Sequence, residues 1–96
     1  MAFELLYHPS VKKTDLPNIS KKDREMIKRA LEERLSSHPE VYGKPLQRTL
    51  KGYWKLRVGS YRVVFKILGD KIHILAIVHR KDVYQEATKR TDRNIW

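Results

Sequence analysis

Residues 53–79, YWKLRVGSYRVVFKILGDKIHILAIVH, alternate between apolar and polar side chains over much of their length, with the two-residue period of β-strands. Gly59-Ser60 and Gly69-Asp70 interrupt the alternation, and a two-residue loop with glycine in its first position is typical of a type II′ hairpin turn. The stretch therefore predicts three antiparallel strands. With these turns, Arg57 lies directly opposite Arg62 across the first strand pair.

The predicted register divides the strand side chains between the two faces of a sheet. One face is almost continuously apolar, and we expect the helices to cover it. Its members are Trp54, Leu56, Val58, Tyr61, Val63, Phe65, Ile67, Ile72, Ile74, Ala76 and Val78. The opposite face is mainly basic, with three aliphatic interruptions. Its members are Tyr53, Lys55, Arg57, Arg62, Lys66, His73 and His79, together with Val64, Leu75 and Ile77.

The third strand is predicted to become irregular near its end. Strict alternation would direct Arg80 into the apolar core, so we expect the strand to stop or to bulge near residue 79. Arg80 would then turn towards the basic face, and the start of a C-terminal helix would bring Tyr84 over it. The terminal Trp96 either docks on the domain or trails from it.

The N-terminal half predicts one strand and a helical hairpin. Residues 3–8 form a short apolar strand, residues 10–16 a short helix that ends before Pro17, and residues 20–37 a longer amphipathic helix with a capping-box sequence at its start. The expected fold is α+β: a mostly antiparallel four-stranded sheet with a helical hairpin packed on one face, in the order β-α-α-β-β-β. A short helix or a loose end follows after Ala87.

The positive charge is concentrated in the second half of the chain. Lysine and arginine number 21 against 11 acidic residues, a net charge of +10 that predicts attraction to polyanions. No acidic residue lies between Glu40 and Asp70, whereas seven basic residues do. They are Lys44, Arg48, Lys51, Lys55, Arg57, Arg62 and Lys66. Two arginines opposite each other repel, so Arg57 and Arg62 either bind a phosphate, splay into water or pair with a carboxylate from the N-terminal half.

Composition excludes several other classes of protein. Ninety-six residues suffice for one domain with one core, so we expect a single domain over residues 1–96. The absence of cysteine excludes disulfides and thiolate metal sites, and it favours a cytoplasmic location. No apolar run approaches the roughly 20 residues of a membrane span, and no signal peptide is recognisable. Without a metal-ligand cluster or a P-loop, neither a metal nor another cofactor is expected.

Two motifs carry a resemblance to a known family. LKGYWKLRVGSYRVVF at 50–65 and VHRKDVY at 78–84 resemble the RelE branch of the RelE/ParE superfamily, and the order of elements agrees over roughly residues 2–88. The resemblance implies the toxin of a type II toxin-antitoxin system. Such a toxin enters the ribosomal A site, cleaves the mRNA there without a metal and inhibits translation. It also implies a cognate antitoxin that neutralises the toxin in a hetero-oligomer.

The resemblance also assigns residues. Lys55, Arg57 and Arg62 match the basic residues around the scissile phosphate, Arg80 matches the arginine of the second motif, and Tyr84 matches the C-terminal tyrosine. The chain departs from the pattern at one position. Where some members carry another lysine, it has Tyr53, which could stack on a base.

Metal-free RNA cleavage needs a base for the ribose 2′-hydroxyl, cations for the phosphorane-like transition state and an acid for the 5′-oxygen. We expect Tyr84 to be the base, with His79 as the alternative, and Lys55 and Arg62 to stabilise the phosphate. Arg80 or Lys55 serves the leaving oxygen, although arginine is a poor proton donor. The further residues expected to contact RNA are Arg57, Lys51, Lys66, Tyr53 and His79.

Two other functions remain open on the sequence. A ParE-like chain would poison gyrase by binding protein, without cutting RNA. A catalytically inactive module that binds RNA or the ribosome would carry the same basic charge. Joint retention of Lys55, Arg57, Arg62, Arg80 and Tyr84 favours the nuclease over the gyrase poison.

Overall fold

A computed structural model of the chain describes residues 3–91, whose centre is a five-stranded mixed sheet. The strands are β1 (Glu4–Tyr7), β2 (Lys44–Pro45), β3 (Trp54–Val58), β4 (Tyr61–Leu68) and β5 (Lys71–His79). The helices are α1 (Lys21–Ala30), α2 (Pro39–Tyr42) and α3 (Val83–Thr91). The strand order is β1-β5-β4-β3-β2, with β1 parallel to β5 and the other pairs antiparallel. The predicted fold class is confirmed, and the two-residue edge strand β2 is an addition to the four predicted strands.

Both hairpin turns form where the sequence predicts them. Gly59 and Gly69 have φ of 59° and 61°, while Ser60 and Asp70 are not among the residues with positive φ, which is the sign pattern of a type II′ turn. Only glycine adopts the first position of this turn without steric cost. Arg57 therefore pairs with Arg62, as expected.

The register between β4 and β5 shifts by one residue inside the sheet. Phe65 pairs with Ile74 but Val64 pairs with Ala76, so Leu75 is the extra residue of a β-bulge. β5 ends at His79, as the sequence predicts, and the bulge four residues earlier is an additional irregularity. Because every residue after the bulge changes face, Ile77 joins the α1 side of the sheet.

After the bulge, buried apolar residues lie on both faces of the sheet, in two separate cores. The first core lies under the helical hairpin. Its buried members are Val11, Ile19, Ile27, Ala30, Leu31, Leu35, Leu56, Val58, Val63, Phe65, Ile72, Ile74 and Ile77. The second core lies on the opposite face, under α3. Its buried members are Leu46, Leu50, Val64, Leu75, Ala76, Val78, Val83 and Ala87. The prediction that Ala76 and Val78 belong to the hairpin core, with Ile77 opposite, is therefore wrong, and the face expected to be an open basic surface is partly covered.

The helical hairpin follows the predicted order with different ends. Its first limb is a π-helical turn, Val11–Asp15, that continues as a 3₁₀ turn, Leu16–Asn18. The limb runs through Pro17 instead of ending before it, because proline is tolerated in the first turn of a helix, where its missing N–H has no partner to lose. The second limb is α1, extended by a further π-helical turn over Leu31–Leu35.

The predicted cap of α1 is present. Ser20 has extended backbone dihedrals, and its Oγ accepts a hydrogen bond of 3.2 Å from the backbone N–H of Asp23. At the other end of the chain, α3 continues past Ala87 to Thr91, which favours the helical alternative for the tail. The options for Trp96 lie outside the described residues.

A buried ion pair fills the sheet edge beside the bulge. β1 pairs with β5 only as far as Tyr7 and Ile74, so the next backbone groups of β5 have no strand partner on that side. The backbone N–H of Ile77 donates to Asp15 Oδ2 at 2.8 Å, and the carbonyl of Leu75 accepts from Arg90 Nη1 at 3.1 Å. Asp15 and Arg90 are joined by two further bonds of 2.6 and 2.7 Å. One bidentate pair thus satisfies the backbone that the bulge leaves open and ties the hairpin to α3.

Candidate functional site

A groove of about 270 Å³ lies on the α3 face of the sheet, beside the edge strand β2. Its walls are Tyr42, Lys44, Lys55, Arg57 and Arg62. Two like-charged cross-strand pairs build it, Lys44 opposite Lys55 and Arg57 opposite Arg62. The groove therefore brings together three of the basic residues predicted from the sequence.

The four cations of the groove have no acidic partner in the part of the chain that the structure describes. Within residues 3–91 the ion pairs join other residues, and no carboxylate lines the groove. In the described structure, Arg57 and Arg62 therefore do not pair with an acid of the N-terminal half. Because cross-strand pairs of like charge are destabilising, a bound anion would relieve this repulsion. The groove has the electrostatics of a phosphate-binding site.

Arg62 is held by the turn that precedes it. Its Nη1 donates to the carbonyl of Gly59 at 3.1 Å and to the carbonyl of Tyr61 at 2.9 Å. These bonds use one terminal nitrogen and orient the guanidinium without neutralising it. The type II′ turn therefore both sets the register and positions a cation of the groove.

Arg80 and Tyr84 lie beyond the walls of the groove. The backbone N–H of Arg80 donates to the carbonyl of Ser60 at 3.0 Å, which extends the β4-β5 ladder past the end of β5. Arg80 follows Val78 by two residues, and Val78 pairs with Arg62, so the register places Arg80 and Arg62 on one face. Tyr84, in the first turn of α3, is 47% exposed. The bulge thus produces the change of face that the sequence required for Arg80.

His79 lies on the opposite face from the groove. It pairs with Tyr61, which packs against the hairpin core, and the two rings meet edge to face with centroids 6.3 Å apart. Together with Asp15 and Asn18, it borders a separate pocket of about 280 Å³ on the hairpin side. The prediction that His79 shares a face with Lys55 is wrong, because the bulge moves every residue after Leu75 to the other side.

The remaining predicted RNA contacts lie apart from the groove. Tyr53 is half-buried against the second core, and Lys66 Nζ stands 5.5 Å from the centroid of its ring. Lys51 is exposed in the turn that precedes β3. None of these three lines the groove.

Two groove residues escaped prediction as site residues. Lys44 contributed only to the count of charges, and Tyr42 was not singled out, because this part of the chain reads as an irregular crossing from helix to sheet. A two-residue strand is too short for a periodic signal. The signal available was the run Tyr42-Gly43-Lys44-Pro45, an aromatic and a lysine around a glycine.

Residues 3–91 lack a membrane-spanning helix and a cluster of metal ligands. No helix there has the length and apolar character needed to cross a membrane. No three His, Cys, Asp or Glu residues of this part cluster in a way that could hold a metal ion.

Comparison with known sequences gives concordant matches. The family model described as the ParE toxin of type II toxin-antitoxin system, parDE, matches residues 5–84. Toxin RelE3 of Methanocaldococcus jannaschii is 33% identical over 73 residues, 73% of this chain and 83% of the relative. Toxin RelG of Mycobacterium tuberculosis is 40% identical over 53 residues, 53% of this chain and 61% of the relative. The match to RelG thus spans less than two thirds of that relative.

A solved structure agrees with the sequence matches. A chain in the crystal structure of the toxin-antitoxin complex RelBE2 from Mycobacterium tuberculosis superposes with a TM-score of 0.74 at 25% identity. The superposition covers 83% of this chain and 100% of the RelBE2 chain.

Proposed function

Since this chain belongs to the ParE toxin family of type II toxin-antitoxin systems, within the RelE/ParE superfamily, we propose that it is a ribosome-dependent endoribonuclease. It cuts mRNA in the ribosomal A site, in the cytoplasm, and so inhibits translation. The observation that carries the proposal is the groove in which Lys55, Arg57 and Arg62 meet, with no acidic partner among residues 3–91. That arrangement suits a phosphodiester, because an anion between the strands would relieve the repulsion of the like-charged cross-strand pairs.

In the proposed reaction the ribose 2′-oxygen attacks the adjacent phosphorus, and the bond from phosphorus to the 5′-oxygen of the next nucleotide breaks. The products are a 2′,3′-cyclic phosphate and a free 5′-hydroxyl. Lys55, Arg57 and Arg62 stabilise the extra negative charge of the phosphorane-like transition state. Because hydrogen bonds to the Gly59 and Tyr61 carbonyls hold Arg62 before the substrate arrives, its part of the stabilisation requires little rearrangement.

Proton transfer is assigned to Tyr84, which lies outside the walls of the groove, and to Lys55, which is part of them. Tyr84 accepts the proton of the 2′-hydroxyl, and Lys55 donates a proton to the departing 5′-oxygen. Arg80 acts electrostatically, since a guanidinium is almost never deprotonated. As neither Arg80 nor Tyr84 lines the groove, the RNA must be oriented so that its sugar reaches them. The need for that orientation supports dependence on the ribosome.

The test uses ribosomes programmed with a defined message and the purified protein. We expect cuts confined to the A-site codon and 2′,3′-cyclic phosphate ends in the product. Arg62→Ala, Arg80→Ala and Tyr84→Phe should each lower the rate, while Lys13→Ala, an exposed charge on the hairpin, should not. Unchanged cutting by all three site variants would refute the assignment.

The gyrase poison is the second candidate, because the matching family model carries the name of the ParE toxin. It predicts stabilised gyrase-DNA cleavage complexes and intact messages. An inactive RNA-binding module predicts binding to ribosomes with neither effect. One assay of gyrase cleavage complexes beside the ribosome assay separates the three.

We propose a cognate antitoxin as the partner of this chain, in line with the RelBE2 structure, which is a toxin-antitoxin complex. The net charge of +10 favours an antitoxin with an acidic binding segment. Co-purification with the product of the neighbouring reading frame, followed by loss of cutting on titration of that product, tests the pairing.

A further inference from the structure

Tyr42 is an aromatic residue of the basic groove with no role in the mechanism above. It ends α2, lines the groove beside Lys44 and Arg57, and is 49% exposed. A single exposed aromatic residue is ordinary on a protein surface. An exposed ring beside unpaired cations, however, is the combination with which proteins bind single-stranded nucleic acid, since the ring stacks on a base while the cations contact the backbone.

The backbone next to Tyr42 is fixed against the core. Gly43 is buried, and a Cβ added to it would stand 2.6 Å from Phe65 Cζ and 2.9 Å from the carbonyl oxygen of Pro39. The N–H of Gly43 also donates to that carbonyl at 2.9 Å. The chain can approach the core this closely only because residue 43 has no side chain. The ring of Tyr42 therefore projects from a backbone whose position is set by packing.

The ring itself is braced from one side. Arg34, in the turn that extends α1, places its Cζ 5.9 Å from the centroid of the Tyr42 ring. A guanidinium over an aromatic face is attracted by the ring quadrupole. Since half of the side chain remains exposed, surface is left for a second planar group. Arg34, Tyr42 and such a group would form one stack.

We propose that Tyr42 is a base-stacking residue for an unpaired nucleotide of the RNA whose phosphate occupies the groove, an inference that rests on the proposed nuclease function. Lys44 follows Tyr42 by two residues and pairs with Lys55, so ring and cations belong to one short segment of the surface. In a nucleotide, a planar base and a phosphate are separated by a single sugar. A duplex would not offer its bases to the ring, so the ligand is single-stranded RNA.

A cycle of protein and message variants on programmed ribosomes tests the stacking. Messages carry a single abasic residue at each A-site position in turn. For the wild type we expect one abasic position to lower kcat/KM by about 10-fold, in the range of a lost base-aromatic stack. Tyr42→Ala should lose a similar factor on the intact message and be insensitive to that abasic position, while Tyr42→Phe should behave as the wild type.

The matched control is Val41→Ala, since Val41 neighbours Tyr42 on α2, is 73% exposed and does not line the groove. Melting temperatures of all variants check that they fold. Equal rates for Tyr42→Ala and Val41→Ala, or an abasic penalty of the same size in wild type and Tyr42→Ala, overturn the inference.

A binding experiment separates failure of the stacking from failure of the nuclease. An RNA trinucleotide with 2-aminopurine in its centre loses fluorescence when the base stacks. Wild type should quench it, and both Tyr42→Ala and Arg57→Ala should not. If Tyr42→Ala still quenches the fluorescence and Arg57→Ala does not, the stacking is overturned and the groove remains a phosphate site. Quenching by a wild type that cuts no message overturns the nuclease and supports the stacking. Absence of quenching by the wild type, or an effect of Tyr42→Ala on antitoxin binding alone, overturns the stacking.

Discussion

Replacement of Asp15 by alanine should destabilise the protein more than any change on its surface. Asp15 and Arg90 are buried, with 4% and 7% of their side chains exposed. Removal of one partner leaves a buried charge, which costs about 3–5 kcal/mol, and the N–H of Ile77 loses its acceptor. Against the roughly 5–15 kcal/mol that stabilises a typical domain, this is a large fraction. At about 4 °C per kcal/mol, the melting temperature should fall by roughly 15 °C or more.

Urea denaturation and calorimetry of Asp15→Ala, Arg90→Met and the double variant measure this cost. We expect the double variant to lose clearly less than the sum of the single losses, because it contains no buried unpaired charge. Glu86→Ala is the control, since the pair of Glu86 with Lys89 is largely exposed at 3.5 Å and is worth less than about 1 kcal/mol. A loss below about 1 kcal/mol for Asp15→Ala, or strict additivity in the double variant, would refute the role given to the pair.

Three further changes have defined outcomes. Burial, and secondly the Arg90 guanidinium, lowers the pKa of His8 from 6.5, while Asp15 opposes both effects. As the pH drops through 6.5, the unfolded chain therefore takes up the His8 proton before the folded chain does. The free energy of unfolding should fall over that range. His8→Asn should flatten that fall in denaturation curves recorded at several pH values; an unchanged slope would contradict it. Gly43→Ala should cost about 1–3 kcal/mol in urea denaturation, because its Cβ would overlap Phe65, and a neutral result would refute the close approach. Arg48 has a φ of 55°, so Arg48→Gly should relieve up to about 1–2 kcal/mol of backbone strain and raise the melting temperature. A lower melting temperature would show that the Arg48 side chain stabilises the fold by more than the strain costs.

The hairpins could be predicted because their signals are local. Gly59 and Gly69 set the turns, and the alternation from Trp54 to Ile67 leaves one register that buries the apolar residues. Lys55, Arg57 and Arg62 were placed on one face for the same reason. Most of the fold class therefore follows from turn chemistry and a period of two.

The bulge at Leu75 could not be predicted because the sequence around it carries no alternation. Residues 74–78 are all apolar and all buried, since the hairpin covers one face and α3 the other. A shift of one residue leaves every position of such a run apolar, so the pattern cannot say which side chain faces which way. The error placed His79 on the wrong face. The pair that accommodates the bulge, Asp15 with Arg90, joins residues 75 positions apart and leaves no local signal.

Only part of the groove could be predicted from the sequence, because its other residues also lie where no periodic pattern exists. Its strand residues follow from the register, whereas Lys44 and Tyr42 reach it through a two-residue edge strand and a four-residue helix. Neither element is long enough to show a period. The position of Tyr42 depends on the contact of Gly43 with Phe65, which only the folded chain reveals.

The single-turnover rate constant for cleavage of A-site mRNA by Arg62→Ala, relative to Lys13→Ala and wild type, tests the central claim most directly. If the groove stabilises the transition state, Arg62→Ala should be slower by about 100-fold or more, with a melting temperature close to that of the wild type. Lys13→Ala should match the wild type. A rate for Arg62→Ala within about twofold of wild type, a difference of only about 0.4 kcal/mol in the barrier, would contradict the assignment of the groove as the catalytic site.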